Sequence, residues 1–167
     1  VELAQAALDR FDELFQSALI NGFRRKLGLI TDEADDVVLI KALLDMMQRG
    51  QADFTLMFRR LSTDGAAVAD GSACRDLFGN PSEFDSWEST WQQRLAHEAI
   101  SPAERMKAMC ALNPLFIPRN HRVEAAIEAA VEQQDLAPFE ELLAVLAHPY
   151  EDQPGREGYA RPPAARR

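Results

Sequence analysis

The sequence predicts an all-α fold, an irregular bundle of about six or seven helices followed by a non-helical C-terminal tail. Apolar residues recur three or four positions apart through most of the 167 residues, which is the spacing of one helix face. No run of alternating β-branched residues indicates a sheet. We therefore expect a helical region over residues 1–150 and an irregular tail, rich in Pro and Gly, over residues 151–167.

Composition narrows the class of protein. A formal net charge of −9 disfavours nucleic acid as a partner, because phosphate binding needs clustered Lys and Arg. No apolar run approaches the roughly 20 residues of a membrane-spanning helix, so we expect a soluble chain without a membrane partner. Cys74 and Cys110 belong to no CxxC pair, which fits a reducing compartment, and we expect the cytoplasm. The start at Val1, without Met or a signal peptide, suggests an internal boundary.

The first predicted helix runs from Leu3 to Lys26, and Gly28 is its expected stop. Its basic end, Arg24 to Lys26, is interpreted as an interaction with the helix dipole. One apolar stripe makes the helix amphipathic; its members are Leu3, Ala7, Phe11, Leu14, Phe15, Ala18, Leu19 and Phe23.

The acidic segment from Thr31 to Asp36 is interpreted as the solvated start of a second helix. A calcium loop counted from Asp32 would need Gly at its sixth position and Glu at its twelfth, where this chain has Val37 and Leu43. Core stripes then follow on the second and third helices. They consist of Val37, Ile40, Leu44 and Met47, and of Phe54, Met57, Phe58 and Leu61.

The segment from Ser62 to Ser72 has two Gly and no period, which predicts a mobile surface connection open to proteases. Asn80 and Pro81 begin the next helix, whose stripe of Phe84, Trp87, Trp91 and Leu95 indicates core. A ligand-stacking platform for the two Trp is the weaker alternative, since no Gly-rich or basic element accompanies them.

Ser101, Pro102 and Glu104 have the pattern of a capping box, and their helix should run to Leu112 before Asn113 and Pro114. Two further helices are expected to pack as an antiparallel hairpin, because a short link joins them. The first should bury Val123, Ile127, Ala130 and Val131; the second begins near Pro138 and carries Phe139, Leu142, Leu143 and Leu146.

The residues suggest no catalytic, cofactor-binding or metal-binding site in this chain. His97, His121 and His148 match no ligand spacing, and no Gly-rich loop with a Lys is present to hold phosphates.

Arg119, Asn120 and Arg122 form a local cluster at a helix start, and the presence of two Arg at this position needs an explanation. Arg there opposes the helix dipole, so we expect either a carboxylate partner from another helix or contact with a neighbouring domain.

The segment NPLFIPRN, followed by VEAAIEAAVEQQDLAPFEELLAVLAHPYED, resembles the C-terminal region of the selenoprotein O family. KLGL (26–29), FRRLS (58–62) and WESTWQQRL (87–95) resemble the family in the same order, so the resemblance covers nearly the whole chain. The C-terminal matches are Asn113, Pro114, Arg119, Asn120, residues 126–130, Pro149, Tyr150, Tyr159, Pro162 and Pro163.

The resemblance implies a longer parent protein with a kinase-like, or pseudokinase, fold. That protein would bind ATP in an inverted orientation with magnesium and transfer AMP to Ser, Thr or Tyr hydroxyls of proteins. The family's ATP- and metal-binding residues precede this segment, so none maps onto a position here. The implied partners are the N-terminal kinase-like domain and protein substrates.

Two departures from the family pattern stand out. Family members commonly carry a terminal Cys or selenocysteine, but this chain has no Cys beyond Cys110, so no redox switch is assigned to it. His148 also stands where Asn is usual.

Three functional hypotheses follow. The chain is a helical scaffold, inactive by itself, of a protein adenylyltransferase; or it is an independent helical interaction module with an exposed apolar groove. The third and weakest hypothesis is a stand-alone enzyme.

Overall fold

The chain is all-α in the computed structural model, which describes residues 2–65 and 72–163. Seven helices in these two ranges have seven or more residues, and no strand occurs there, so the predicted fold class is confirmed. The helices are α1 (Glu2–Lys26), α2 (Asp36–Gly50), α3 (Phe54–Arg60), α4 (Ser72–Arg75), α5 (Pro81–Leu95), α6 (Pro102–Cys110), α7 (Asn120–Glu132), α8 (Ala137–Leu146) and α9 (Glu157–Ala160).

The main core lies among the C-terminal end of α1 and helices α2 to α6. Trp87 and Trp91 stack at a centroid distance of 5.6 Å. Each indole also donates a hydrogen bond to a backbone carbonyl, Trp87 Nε1 to Leu39 at 2.9 Å and Trp91 Nε1 to Leu27 at 3.0 Å. The prediction that both Trp are core residues is confirmed.

Two helix boundaries follow the predicted sequence signals. Gly28 adopts φ +73 after α1, and the amides of Gly28 and Leu29 bond the carbonyls of Arg25 and Arg24, a Schellman stop. At the start of α6, Ser101 and Glu104 form the capping box. That helix ends at Cys110, two residues before the predicted Leu112, and continues as a turn.

The connection after α3 differs from its prediction. The chain continues as a π-helical turn, Leu61–Gly65, and Ser62 is fully buried. The Ser62 hydroxyl donates to the carbonyl of Phe58 at 2.7 Å and accepts from the Asn113 amide at 2.9 Å. The prediction of a mobile surface connection is therefore wrong for Ser62. Residues 66–71, the middle of the segment where proteolysis was expected, lie outside the described residues.

The C-terminal part is built on the predicted hairpin, in which α7 and α8 pack against each other. The predicted buried edge of α7 is wrong, because Ile127 and Val131 are exposed while Ala126 and Ala129 are buried. Ile127 follows Ala126 by one position, about 100° around the helix axis, so it lies beside the contact with α8 and not within it. A second, small hydrophobic cluster, made of Phe116, Val145 and Ala160, includes α8 of the hairpin.

The described part of the tail, residues 151–163, contains one helical turn, α9, and is held to the hairpin. Gln153 Nε2 donates to the carbonyls of Val145 and His148 at 3.0 and 2.9 Å. Tyr159 packs against the small cluster. The described part of the tail is thus irregular for the most part and is attached to the hairpin.

Candidate interaction surfaces

Helix α1 carries an exposed apolar surface, the α1 face, made of Leu8, Phe11, Leu14, Phe15 and Leu19. These side chains are 39–66% exposed, and the rings of Phe11 and Phe15 stack at 5.8 Å. The stripe reaches the core only near its C-terminal end, where the ring centroids of Phe23 and Phe58 are 5.9 Å apart. A contiguous apolar surface of this kind marks an interaction site in proteins that are otherwise well packed.

The hairpin carries a second apolar surface, the hairpin groove, with a volume of about 320 Å³. Four large side chains at or beside it, Ile127, Val131, Phe139 and Leu143, are 51–75% exposed. Its lining residues are Pro118, Val123, Ala126, Ile127, Phe139, Leu142, Leu143 and Leu146.

An ion pair between Arg119 and Asp53 joins α3 to the start of α7. Arg119 Nη1 and Nη2 donate to the two carboxylate oxygens of Asp53 at 2.7 and 3.1 Å, and Asp53 also accepts from the Leu56 amide at 2.8 Å as the cap of α3. Burial raises the pKa of Asp53, but the hydrogen bonds from Arg119 and Leu56 outweigh burial, so this pKa lies below its usual value. Arg119 has the carboxylate partner that one interpretation expected.

The other members of the predicted cluster lie nearby but differ in role. Arg122 Nη2 donates to the carbonyl of Gly158 at 2.9 Å, and its guanidinium stands 5.1 Å from the ring centre of Tyr159. Asn120 is exposed. Two of the three side chains thus bind this chain itself, and contact of the cluster with a neighbouring domain stays a prediction.

A buried polar network, which the sequence reasoning missed, fixes α1, α2 and α5 together. Asp36 is 1% exposed and accepts from Nε of Arg94 and Nε of Arg24, each at 2.8 Å, and from the Glu33 amide at 3.0 Å. The interpretation of the acidic segment as solvated is therefore wrong for Asp36. Arg24 bonds carboxylates of Asp36 and Asp32, a role beyond the expected helix-dipole interaction.

Arg94 is the centre of this network. Its Nη1 donates to Glu98 at 2.8 Å and its Nη2 to the Thr31 carbonyl at 2.8 Å, while Glu98 accepts from the Thr31 hydroxyl at 2.8 Å. The sequence spacing could have predicted that Arg94 is buried, because Arg94 follows Trp91 by three residues and so lies on the buried stripe of α5. The network satisfies its own charges, which indicates a structural role.

Residues with catalytic potential are scattered. His97 is exposed and its Nδ1 lies 3.1 Å from Glu33 Oε1, and burial raises the pKa of the Cys110 thiol.

No group of three or more His, Cys, Asp or Glu side chains among the described residues could hold a metal ion. No helix in that part of the chain is long and apolar enough to cross a membrane.

The family model described as Protein adenylyltransferase SelO matches residues 1–147. The chain is 56% identical over 163 residues to the protein nucleotidyltransferase YdiU of Bradyrhizobium sp. (strain ORS 278), covering 98% of this chain and 33% of that protein. It is 49% identical over 163 residues to the YdiU protein of Rhizobium rhizogenes (strain K84), covering 98% and 32%. The chain thus spans about a third of the length of these curated relatives.

Proposed function

Since this chain belongs to the SelO family of protein adenylyltransferases, we propose that it is the C-terminal helical scaffold of a longer protein of that activity. The longer protein transfers AMP from ATP to Ser, Thr or Tyr hydroxyls of other proteins. This chain contributes no catalytic residue to the transfer. The relatives are protein nucleotidyltransferases by name, which supports this activity for the longer protein.

One observation carries the scaffold proposal: the α1 face is apolar and exposed in a chain that is a third as long as its relatives. Burial of such side chains stabilises an interface by about 25 cal/mol per Å² of apolar area. The occupant we propose is the kinase-like part of the same protein, for which the stacked Phe11 and Phe15 provide the centre of the interface.

ATP and magnesium belong, in this proposal, to the part of the protein outside this chain. The described residues hold no set of carboxylates suited to a metal ion. The sequence also lacks a Gly-rich loop followed by Lys, the usual cradle for phosphates.

The test compares AMP transfer by the complete protein with transfer by its Phe11→Ser/Phe15→Ser variant, using magnesium, labelled ATP and an acceptor protein. We expect a lower unfolding temperature and a loss of transfer, because the kinase-like part loses its support. Val38→Ser is the matched control, since Val38 is 67% exposed and lies on α2. Full stability and full transfer in a protein that lacks this chain would reject the scaffold role.

The second candidate is an independent helical interaction module, and the hairpin groove favours it. A protein whose reading frame begins close to this chain would support the module. A reading frame that extends upstream for the length of the relatives, with nucleotide-binding motifs, supports the scaffold.

A further inference from the structure

We propose that the hairpin groove binds a basic amphipathic helix of another protein. Its function as a holder of protein substrates rests on the proposed adenylyltransferase activity, whereas the binding itself does not. The proposal comes from two independent properties of the hairpin, its exposed apolar floor and the charge along its edges.

The apolar floor has the spacing that suits a helix. Val123 and Ile127 on α7 are four residues apart and line the groove, and so do Phe139 and Leu143 on α8. Val131, four residues after Ile127, extends the α7 row beyond the groove and is 75% exposed. An amphipathic helix that lays its apolar side chains between two such rows is a common mode of peptide recognition. Ile127, Val131, Phe139 and Leu143 are each more than half exposed, so the described residues of this chain do not cover them.

The edges of the groove are acidic. Glu124, Glu128 and Glu132 each follow an apolar residue of α7 by one position, which puts an acidic row beside the apolar row and away from the buried Ala126 and Ala129. On α8, Glu140 follows Phe139 in the same way.

These four carboxylates have no cationic partner among the described residues. Glu141, the neighbour of Glu140, does have one, Arg156. Unpaired carboxylates along both edges favour a ligand with Lys or Arg on either side of its apolar face, and disfavour nucleic acid and anionic lipid surfaces.

The α1 face serves as an internal comparison. Its charged neighbours are Asp9, Arg10, Asp12 and Glu13, so a cation lies among its carboxylates. The rows of carboxylates without a cationic partner therefore distinguish the hairpin groove from the α1 face.

The test measures fluorescence anisotropy of labelled 18-residue peptides added to the complete protein. The probe peptide has Leu and Phe at helical spacing flanked by Lys; two matched peptides replace every Lys by Glu or scramble the order. We expect saturable binding of the Lys peptide, at least tenfold weaker binding of the other two, and a loss of affinity as salt increases.

Variants of the protein localise the site. Ile127→Ser/Leu143→Ser should weaken binding of the Lys peptide roughly tenfold, because two apolar contacts are lost, and Glu124→Lys/Glu128→Lys should weaken it at low salt. The controls Val38→Ser and Asp45→Lys, on the exposed surface of α2, should bind as the unmodified protein does.

Equal binding of the Lys and Glu peptides, or binding that the groove variants leave unchanged, would overturn the proposal. A lower unfolding temperature of the complete protein in both groove variants would also overturn it, since the rest of the same chain would then cover the groove. Loss of peptide binding with unchanged AMP transfer to a peptide without the amphipathic helix would support it. Absence of AMP transfer in every variant, with peptide binding intact, would reject only the adenylyltransferase activity.

Discussion

The main core and the C-terminal hairpin are stabilised in different ways. Seventeen buried apolar residues form the main core, whereas three form the small cluster beneath the hairpin, counted over the described residues. Polar contacts attach the hairpin and tail instead, such as Arg59, which donates to the Tyr150 carbonyl at 3.0 Å and to Asp152 at 3.2 Å. Apolar packing thus holds the main core together, whereas Arg side chains such as Arg59 and Arg119 anchor the hairpin and tail, and large apolar side chains of the hairpin stay exposed.

Truncating a core residue should give the largest effect. We expect Trp91→Ala to lower the free energy of unfolding by about 3–5 kcal/mol, because a fully buried ring leaves a cavity. Trp91→Phe, which keeps most of the ring volume and loses the hydrogen bond to Leu27, should cost less. Denaturant unfolding followed by far-UV circular dichroism measures both, and equal losses would contradict the cavity explanation.

Removing the centre of the buried network should give a loss of similar or slightly smaller size. Arg94→Met leaves Asp36 and Glu98 buried without their cation, which costs about 3–5 kcal/mol in comparable ion pairs. Asp36→Asn in the same protein should recover part of the loss. A double variant less stable than Arg94→Met alone would argue against charge compensation as the cause.

Cutting the link between the two regions should give an intermediate effect. Arg119→Met removes both hydrogen bonds to Asp53, and hydrogen bonds to charged groups contribute about 2 kcal/mol each in favourable cases. Amide hydrogen exchange should accelerate in α7 and α8 while α2 and α5 keep their protection. Uniform acceleration over all helices would show that the two regions do not unfold separately.

Acidification should give a smaller and gradual effect. Burial raises the pKa of Asp36, but hydrogen bonds from Arg94, the Glu33 amide and Arg24 lower it by more than burial raises it. The folded-state pKa therefore lies below its usual value of 3.8. Asp36 therefore contributes stability that is present above the unfolded-state pKa of about 3.8 and is lost as the pH falls through the folded-state pKa. Asp36→Asn should flatten this part of the stability profile, and an unchanged profile would contradict the assignment.

Substituting the exposed apolar residues should give the smallest effect on folding. Val131→Ser is expected to change the free energy of unfolding by no more than about 0.5 kcal/mol, since Val131 is 75% exposed and touches little. Ile40→Ser, at a buried position of α2, is the contrasting variant and should destabilise clearly. Similar losses for the two would mean that the hairpin face is packed in the folded protein.

The helices were largely predictable because their signals are local. The stop at Gly28 and the capping box at Ser101 depend on residues within one helical turn, and the stripe from Phe84 to Leu95 has a single period. Charged residues were less predictable, since the partners of Asp36 lie 12 and 58 positions away. The sequence singled out Arg119 only because a cation opposes the helix dipole at that position, and no sequence pattern identified its partner Asp53.

By itself, the sequence determined the fold class, most helix boundaries, the two Trp as core residues and the family. These properties depend on short-range spacing or on ordered motifs, both of which are visible in the order of residues along the chain. Only the tertiary structure decided which apolar stripes are buried, because an amphipathic face shows that a partner is needed without saying which one. The α1 face and the hairpin groove have the same helical period as the stripes of α2 and α5, yet they stay exposed, since the described part of the chain packs no helix against them.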